Sequence, residues 1–279
     1  MTRTGPLGIF DSGVGGLTVV GEILRRYPGE QILYLADQAH VPYGGRPLEE
    51  IKKFATEISA FLADQGCRAI IMACNISSAV ALPSVRKSLE PLPVFGMIDA
   101  AARQAAQDFD HPIGVLATAG TVKSRAYTCQ IQEIAPRAQV VEIACPGLVP
   151  LVEAGETDTD EAFAATREYL QPLAEAGCQT IILGCTHYPY LQTTLNHVAA
   201  EFWTSAPLFI DPAEELVLSV ARQLGLGESG HGNHTLLTTG DRMIFERQAP
   251  LFVQGLEAQV EKCAWDNSGC LQMESLALP

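Results

Sequence analysis

The chain has 279 residues, 47% hydrophobic and 18% charged, with a mean hydropathy of +0.13. That is enough apolar material for one large domain or two ordinary ones at about 150 residues each. Eighteen basic against 32 acidic residues give a formal charge of −14, which argues against nucleic acid or an anionic membrane as a partner while leaving room for a local anion site.

In chain order, short apolar runs alternate with longer amphipathic ones. LGIF, from Leu7, leads into LTVVGEILRRY; QILYLAD, from Gln31, precedes IKKFATEISAFLADQ; AIIMAC, from Ala69, leads into SSAVALPSVRKSL. IGVLAT, from Ile113, and QVVEIAC, from Gln139, are followed by FAATREYLQPLAEA, and TIILGC, from Thr180, by YLQTTLNHVAAEF. Near-continuous apolar strands separated by helical patterns predict an α/β protein with mainly parallel sheets covered on both faces. The last stretch adds a helical DPAEELVLSVARQL, a glycine-rich GLGESGHGNH, a strand-like HTLLTTGD, a helical MIFERQAPLFVQ and a final strand around Val260. It is too small for a third domain and is expected to complete one of two sheets. His231 and His234 in the glycine-rich loop read as a solvated turn rather than as metal ligands.

The opening MTRTGPLGIFDSG lacks a signal-peptide core, and no run approaches the ~20 apolar residues of a membrane span, so a cytoplasmic chain is expected. Eight cysteines scattered through apolar runs then read as free thiols in a reducing compartment.

A repeat organises the chain. Pro6-Leu7-Gly8-Ile9-Phe10 resembles Pro112-Ile113-Gly114-Val115-Leu116. QILYLAD and Val41-Pro42 correspond to QVVEIAC and Val149-Pro150, and LADQGCRAIIMACN from Leu62 to LAEAGCQTIILGCT from Leu173. The kept order predicts a duplicated α/β unit. The expected domains are 1–99 with 211–279, and 100–210, related by a pseudo-twofold axis with the active site in the cleft between them.

The repeat pairs Cys74 with Cys185, each closing an apolar strand, where parallel sheets bind ligands. Asn75, Ser77 and Ser78 after Cys74 are suited to cap the next helix, and Thr186 and His187 follow Cys185. A helix N-terminus or a nearby histidinium favours a thiolate, so both cysteines read as reactive, whereas Cys67 and Cys178 read as structural. Two thiols flanking one carbon suit inversion by proton transfer: one removes a proton from one face, the other delivers one to the opposite face. A redox disulfide or a metal site is the alternative, but CxxC spacing is absent and Cys185-Thr186-His187 supplies too few ligands. The glycines of IFDSGVGGLTVV complete neither GxGxxG nor a GK[ST] motif, so a carboxylate suits this turn better than a nucleotide phosphate. Asp11 there either caps the turn or tunes Cys74.

The segments LGIFDSGVGGLTVV, YLADQAHVPYG, MACN followed by small residues, GVLATAGTVKS, LVPLVEAG and LGCTHYPYL together resemble the glutamate racemases of the cofactor-independent aspartate/glutamate racemase family over nearly the whole chain. The resemblance implies two α/β domains and interconversion of L- and D-glutamate for peptidoglycan without pyridoxal phosphate or metal. It implies Cys74 as base for the D-enantiomer and Cys185 for the L-enantiomer, with Asp11 assisting the first, and His187 and Glu153 the second. Asp11, Ser12, Pro42, Tyr43, Gly44, Asn75, Thr118, Thr121, Thr186 and His187 match positions lining the substrate pocket, with Asp37 a candidate behind it. Ile76 is a departure, because the family reads CNT where this chain reads Cys74-Asn75-Ile76. Several of these residues also have a plainer reading: Tyr43 as core, Thr118, Thr121 and Ser12 as turn caps, Glu153 as a solvated carboxylate, and His187 as a satisfied histidine.

A homodimer acting on a small-molecule substrate is expected. Lys123 is the only lysine placed to tempt as a Schiff-base former. The alternatives are a racemase of the same fold acting on aspartate or another amino acid, and a non-catalytic two-lobed amino-acid-binding protein, which would need neither cysteine.

Overall fold

A computed structural model describes residues 4–107, 109–227, 232–253 and 255–274. The chain divides into two compact units, 1–96 with 217–279, and 97–216.

The first unit opens with β1 (Leu7–Asp11), α1 (Leu17–Arg26), β2 (Ile32–Ala36), α2 (Leu48–Asp64), β3 (Ala69–Met72), α3 (Asn75–Ser88) and β4 (Val94–Gly96). β1, β2 and β3 are buried along their whole length, as apolar strands between two helical layers must be. α1 turns Leu17, Val19, Val20 and Ile23 inward and ends in Arg25 and Arg26, whose charges suit the negative end of its dipole.

The second unit holds α4 (Met97–Ala105), β5 (Ile113–Ala117), α5 (Ala119–Ser124), α6 (Ala126–Ile134), β6 (Val140–Ala144), α7 (Leu148–Glu153), α8 (Asp160–Glu175), β7 (Thr180–Gly184), α9 (Gln192–Phe202) and β8 (Leu208–Ile210). α10 (Pro212–Leu224) contains the boundary between units, and β9 (His234–Thr238), α11 (Arg242–Phe252), β10 (Gln259–Trp265) and β11 (Leu271–Met273) follow in the first unit.

The first sheet runs β11-β10-β9-β2-β1-β3-β4 and the second β6-β5-β7-β8. All pairings are parallel except β10 with β11. The order β2-β1-β3-β4 recurs as β6-β5-β7-β8, so the sequence repeat is a repeat of topology. Helix ends recur too: Gly66 (φ 82°) after α2 and Gly177 (φ 76°) after α8 take the left-handed conformation that closes a helix. Behind them Cys67 N–H reaches Leu62 O at 3.2 Å, and Cys178 N–H reaches Leu173 O at 3.0 Å. The Val-Pro match does not persist, since Val41-Pro42 precede a 3-10 turn while Val149-Pro150 lie inside α7.

β11 was not anticipated, three residues being too short a signal. His234 opens β9 beside Ile32 instead of lying in a loop, and burial holds its imidazole below the ordinary value. His231 lies outside the described residues. Among the described residues no helix is long and apolar enough to cross a membrane, and no group of three His, Cys, Asp or Glu side chains is placed to hold a metal. None of the eight cysteines is in a disulfide.

Candidate active site

In the first unit the candidate residues gather at the carboxyl ends of β1, β2 and β3. β1 ends on Asp11, which is 1% exposed and accepts from Ser12 N–H at 2.5 Å and Ser12 Oγ–H at 3.0 Å. Asp11 therefore does organise the turn. Gly16 is needed there because a Cβ would come within 2.6 Å of Asp11 Cβ and 2.9 Å of the Tyr34 hydroxyl.

Cys74 follows β3 as the residue immediately before α3. It is 5% exposed and packs in one buried cluster with Tyr43, Ile51 and Ile76. Asn75, Ser77 and Ser78 were expected to cap this helix, but they lie inside it and no side chain caps its start. Ser78 Oγ instead donates to Met72 O at 2.8 Å. The backbone at Cys74 is extended while the residues after it are helical, so the thiol sits where the helix presents its unpaired N–H groups.

Tyr43 opens a short 3-10 turn with Gly44, after an exposed Pro42, and is almost fully buried. Its hydroxyl donates to Asp37 Oδ2 at 2.5 Å. Burial first, then the negative charge of Asp37 and its hydrogen bond, with Cys74 and Asp11 contributing, push the phenol well above its ordinary value. It therefore stays a neutral donor beside the thiol. Asp37 also accepts from Thr239 Oγ–H at 2.8 Å, Trp265 Nε1–H at 2.7 Å and His40 Nδ1–H at 2.9 Å. Thr239 and Trp265 were missed by sequence reasoning; the available signal was their place at the carboxyl ends of β9 and β10.

In the second unit Cys185 follows β7, 7% exposed. Tyr188–Leu191 form a 3-10 turn and α9 begins at Gln192, two residues into the helical pattern read from Tyr190, so no helix N-terminus lies directly behind Cys185. Its electrostatic partner is His187, 3% exposed, whose Nδ1 stands 3.7 Å from Cys185 Sγ and whose Nε2–H donates to Glu153 Oε1 at 2.6 Å. With Nε2 committed to the carboxylate, Nδ1 is left facing the sulfur, an acceptor from a thiol when the imidazole is neutral and a donor to a thiolate when it is charged. Glu153, at the end of α7, is thus not merely a solvated carboxylate.

Thr186 is buried beside this pair. Thr118 caps α5, its Oγ lying 3.4 Å from Thr121 N and 3.0 Å from Thr121 Oγ. The turn-capping reading of Thr118 is therefore met. Cys67 and Cys178, the other repeat-paired cysteines, are held by burial at about 12 and about 11, and stay protonated core thiols.

A family model described as Asp/Glu/Hydantoin racemase matches residues 16–220. Over 218 residues the chain is 47% identical to the glutamate racemase of Gloeobacter violaceus, covering 78% of this chain and 80% of that protein. It is similar to the crystal structure of Thermus thermophilus glutamate racemase in complex with β-chloro-D-alanine, with TM-score 0.83, 37% identity, and coverage of 95% of this chain and 98% of that one. The Francisella tularensis glutamate racemase in complex with D-glutamate gives TM-score 0.85 at 30% identity, over 94% and 98% of the two chains.

Proposed function

The chain belongs to the Asp/Glu/hydantoin racemase family, and on that premise we propose that it is an isomerase interconverting L- and D-glutamate through two cysteines acting on opposite faces of the α-carbon. Cys74 removes the proton of the D-enantiomer and Cys185 that of the L-enantiomer, and in each direction the other thiol reprotonates. The observation that supports this most is that repeat-equivalent strand ends each carry a nearly buried cysteine beside groups able to manage its proton or charge: the α3 N-terminus and the Tyr43 cluster in one unit, the His187–Glu153 pair in the other.

No step needs a redox change. A thiolate takes the α-proton, the carbanion's charge spreads onto the adjacent carboxylate, and the opposite thiol gives its proton to carbon, leaving the two cysteines in exchanged protonation states. Ser12, Gly44, Asn75, Thr118, Thr121 and Thr186 would hold the substrate's carboxylates and ammonium with hydroxyls and backbone groups. The enzyme is proposed to work in the cytoplasm as a homodimer, supplying D-glutamate to peptidoglycan.

The test is racemisation of L-glutamate by purified protein without added cofactor, run in deuterated water. Early D-glutamate should carry α-deuterium while remaining L-glutamate stays largely protiated. Substantial α-protium in early D-glutamate would sink the two-thiol assignment in favour of one shared base.

A further inference from the structure

Asp37 is fully buried, and both oxygens of its carboxylate are occupied. Oδ2 takes the Tyr43 hydroxyl and His40 Nδ1; Oδ1 takes Thr239 Oγ–H and Trp265 Nε1–H. The backbone N–H of Asp37 is bonded to Asp11 O at 2.9 Å. Thr239 Oγ accepts from Ala39 N–H at 2.9 Å, so its own proton is directed at Asp37. Two donors from the ends of β9 and β10 thus fix the rotation of a carboxylate whose other oxygen fixes Tyr43, and the Tyr43 ring lies in the buried cluster that contains Cys74.

We propose that Thr239 and Trp265 are positioning residues for the Cys74 half of the reaction, acting through Asp37 and Tyr43 to hold the wall against which the thiol sits. The inference rests on the role of Cys74 proposed above. Without either donor the carboxylate is free to turn toward the remaining ones, Tyr43 follows it, and the contact beside the thiol loosens. Small misplacements of a reacting group are costly, up to about a hundredfold for 1 Å.

Trp265→Phe removes the indole donor together with part of the ring packed against His40 and Phe54, and Thr239→Val removes the hydroxyl donor together with the acceptor of Ala39 N–H. Because the enantiomers have equal energy, kcat/KM must fall equally in both directions, so rates cannot reveal which thiol was disturbed; isotope effects can. Slowing the Cys74 step makes it more rate-limiting. The deuterium effect on kcat/KM with D-[2-2H]glutamate should therefore grow while that with L-[2-2H]glutamate shrinks toward one, alongside a loss of kcat/KM of about tenfold. Tyr43→Phe should give the same signature.

Unchanged kinetics, or a fall in activity with both isotope effects unaltered, would overturn the proposal, the latter meaning only that folded enzyme was lost. Cys74→Ser in the same assay separates the two ideas. If it racemises at the normal rate, the two-thiol reading fails. If it is inactive while Trp265→Phe and Thr239→Val behave as wild type, only the positioning role fails.

Discussion

The strand orders β2-β1-β3-β4 and β6-β5-β7-β8 superpose one plan on two halves of the chain, yet the halves equip their cysteines differently. Where β1 ends on Asp11, paired with Ala36, β5 ends on Ala117, paired with Ala144. Where Asp37 N–H meets Asp11 O, Cys145 N–H meets Ala117 O at 2.8 Å. The first half therefore places two carboxylates on the framework itself, while the second has apolar groups at both positions and takes its polar pair from the turn after β7 and the end of α7. Cys74 also precedes a 14-residue helix directly, whereas a 3-10 turn separates Cys185 from its helix. The shared plan carries both thiols, while the polar groups around each are built locally on each side.

The severest way to break this comparison is to remove the thiols one at a time. Cys74→Ser and Cys185→Ser should each cost about a thousandfold or more in racemisation. The residual chemistry should split by side, with Cys185→Ser exchanging the α-hydrogen of D-glutamate only and Cys74→Ser that of L-glutamate only, read by NMR in deuterated water. Comparable exchange of both enantiomers by either variant would contradict separate assignments.

Next comes the polar support of the second half. His187→Asn should lower kcat/KM by about a hundredfold and Glu153→Gln by about tenfold, since the carboxylate acts through the imidazole. Their isotope effects should move opposite to those at Trp265 and Thr239, growing with L-[2-2H]glutamate. Movement in the same direction would mean the halves are not energetically distinct.

A third test uses the buried protonated groups both halves share. Cys67 and Cys263 are held at about 12 and Cys178 at about 11, in each case chiefly by burial, and burial also holds Tyr43, Tyr127 and Tyr188 well above their ordinary value. Between about pH 9 and those raised values the unfolded chain releases protons that the native chain keeps. Stability is therefore complete below pH 9 and falls as pH rises above it. The unfolding midpoint should decline steadily from about pH 9 to 11, and a flat profile there would refute the assignment.

The smallest expected effect concerns the equivalent helix ends. Gly66→Ala and Gly177→Ala each force a Cβ into left-handed backbone and should each destabilise by about 1 kcal/mol, in similar measure, with catalysis unchanged. Chemical denaturation would show this, and a large inequality would say the two turns are not equivalent.

What could be read from the residues follows the range of the interactions that specify them. Strands such as AIIMAC and TIILGC announce themselves because burial on both faces demands continuous apolar side chains. The two cysteines announce themselves because strand ends and repeats are local patterns. Asn75, Ser77 and Ser78 misled as caps because residue type alone does not say where the first helical turn begins; here it begins one residue after Cys74. Thr239 and Trp265 offered only their place at strand ends, because their partner lies 202 and 228 positions away in sequence, and nothing in a threonine or tryptophan there says which carboxylate it will meet.

That separation matters while the chain is being made. Residues 97–216 are contiguous, so their unit is complete as soon as they leave the ribosome, but the other unit is interrupted and waits for its last strands. At about 5–20 residues per second, Asp37 emerges roughly ten seconds or more before Trp265. In that interval its carboxylate must remain hydrated or borrow other partners. A nascent or prematurely terminated chain ending between Ile210 and Trp265 thus carries both cysteines and all the strands of the second sheet, yet lacks the indole that closes the environment of Asp37, so translation itself delays the maturation of the Cys74 half.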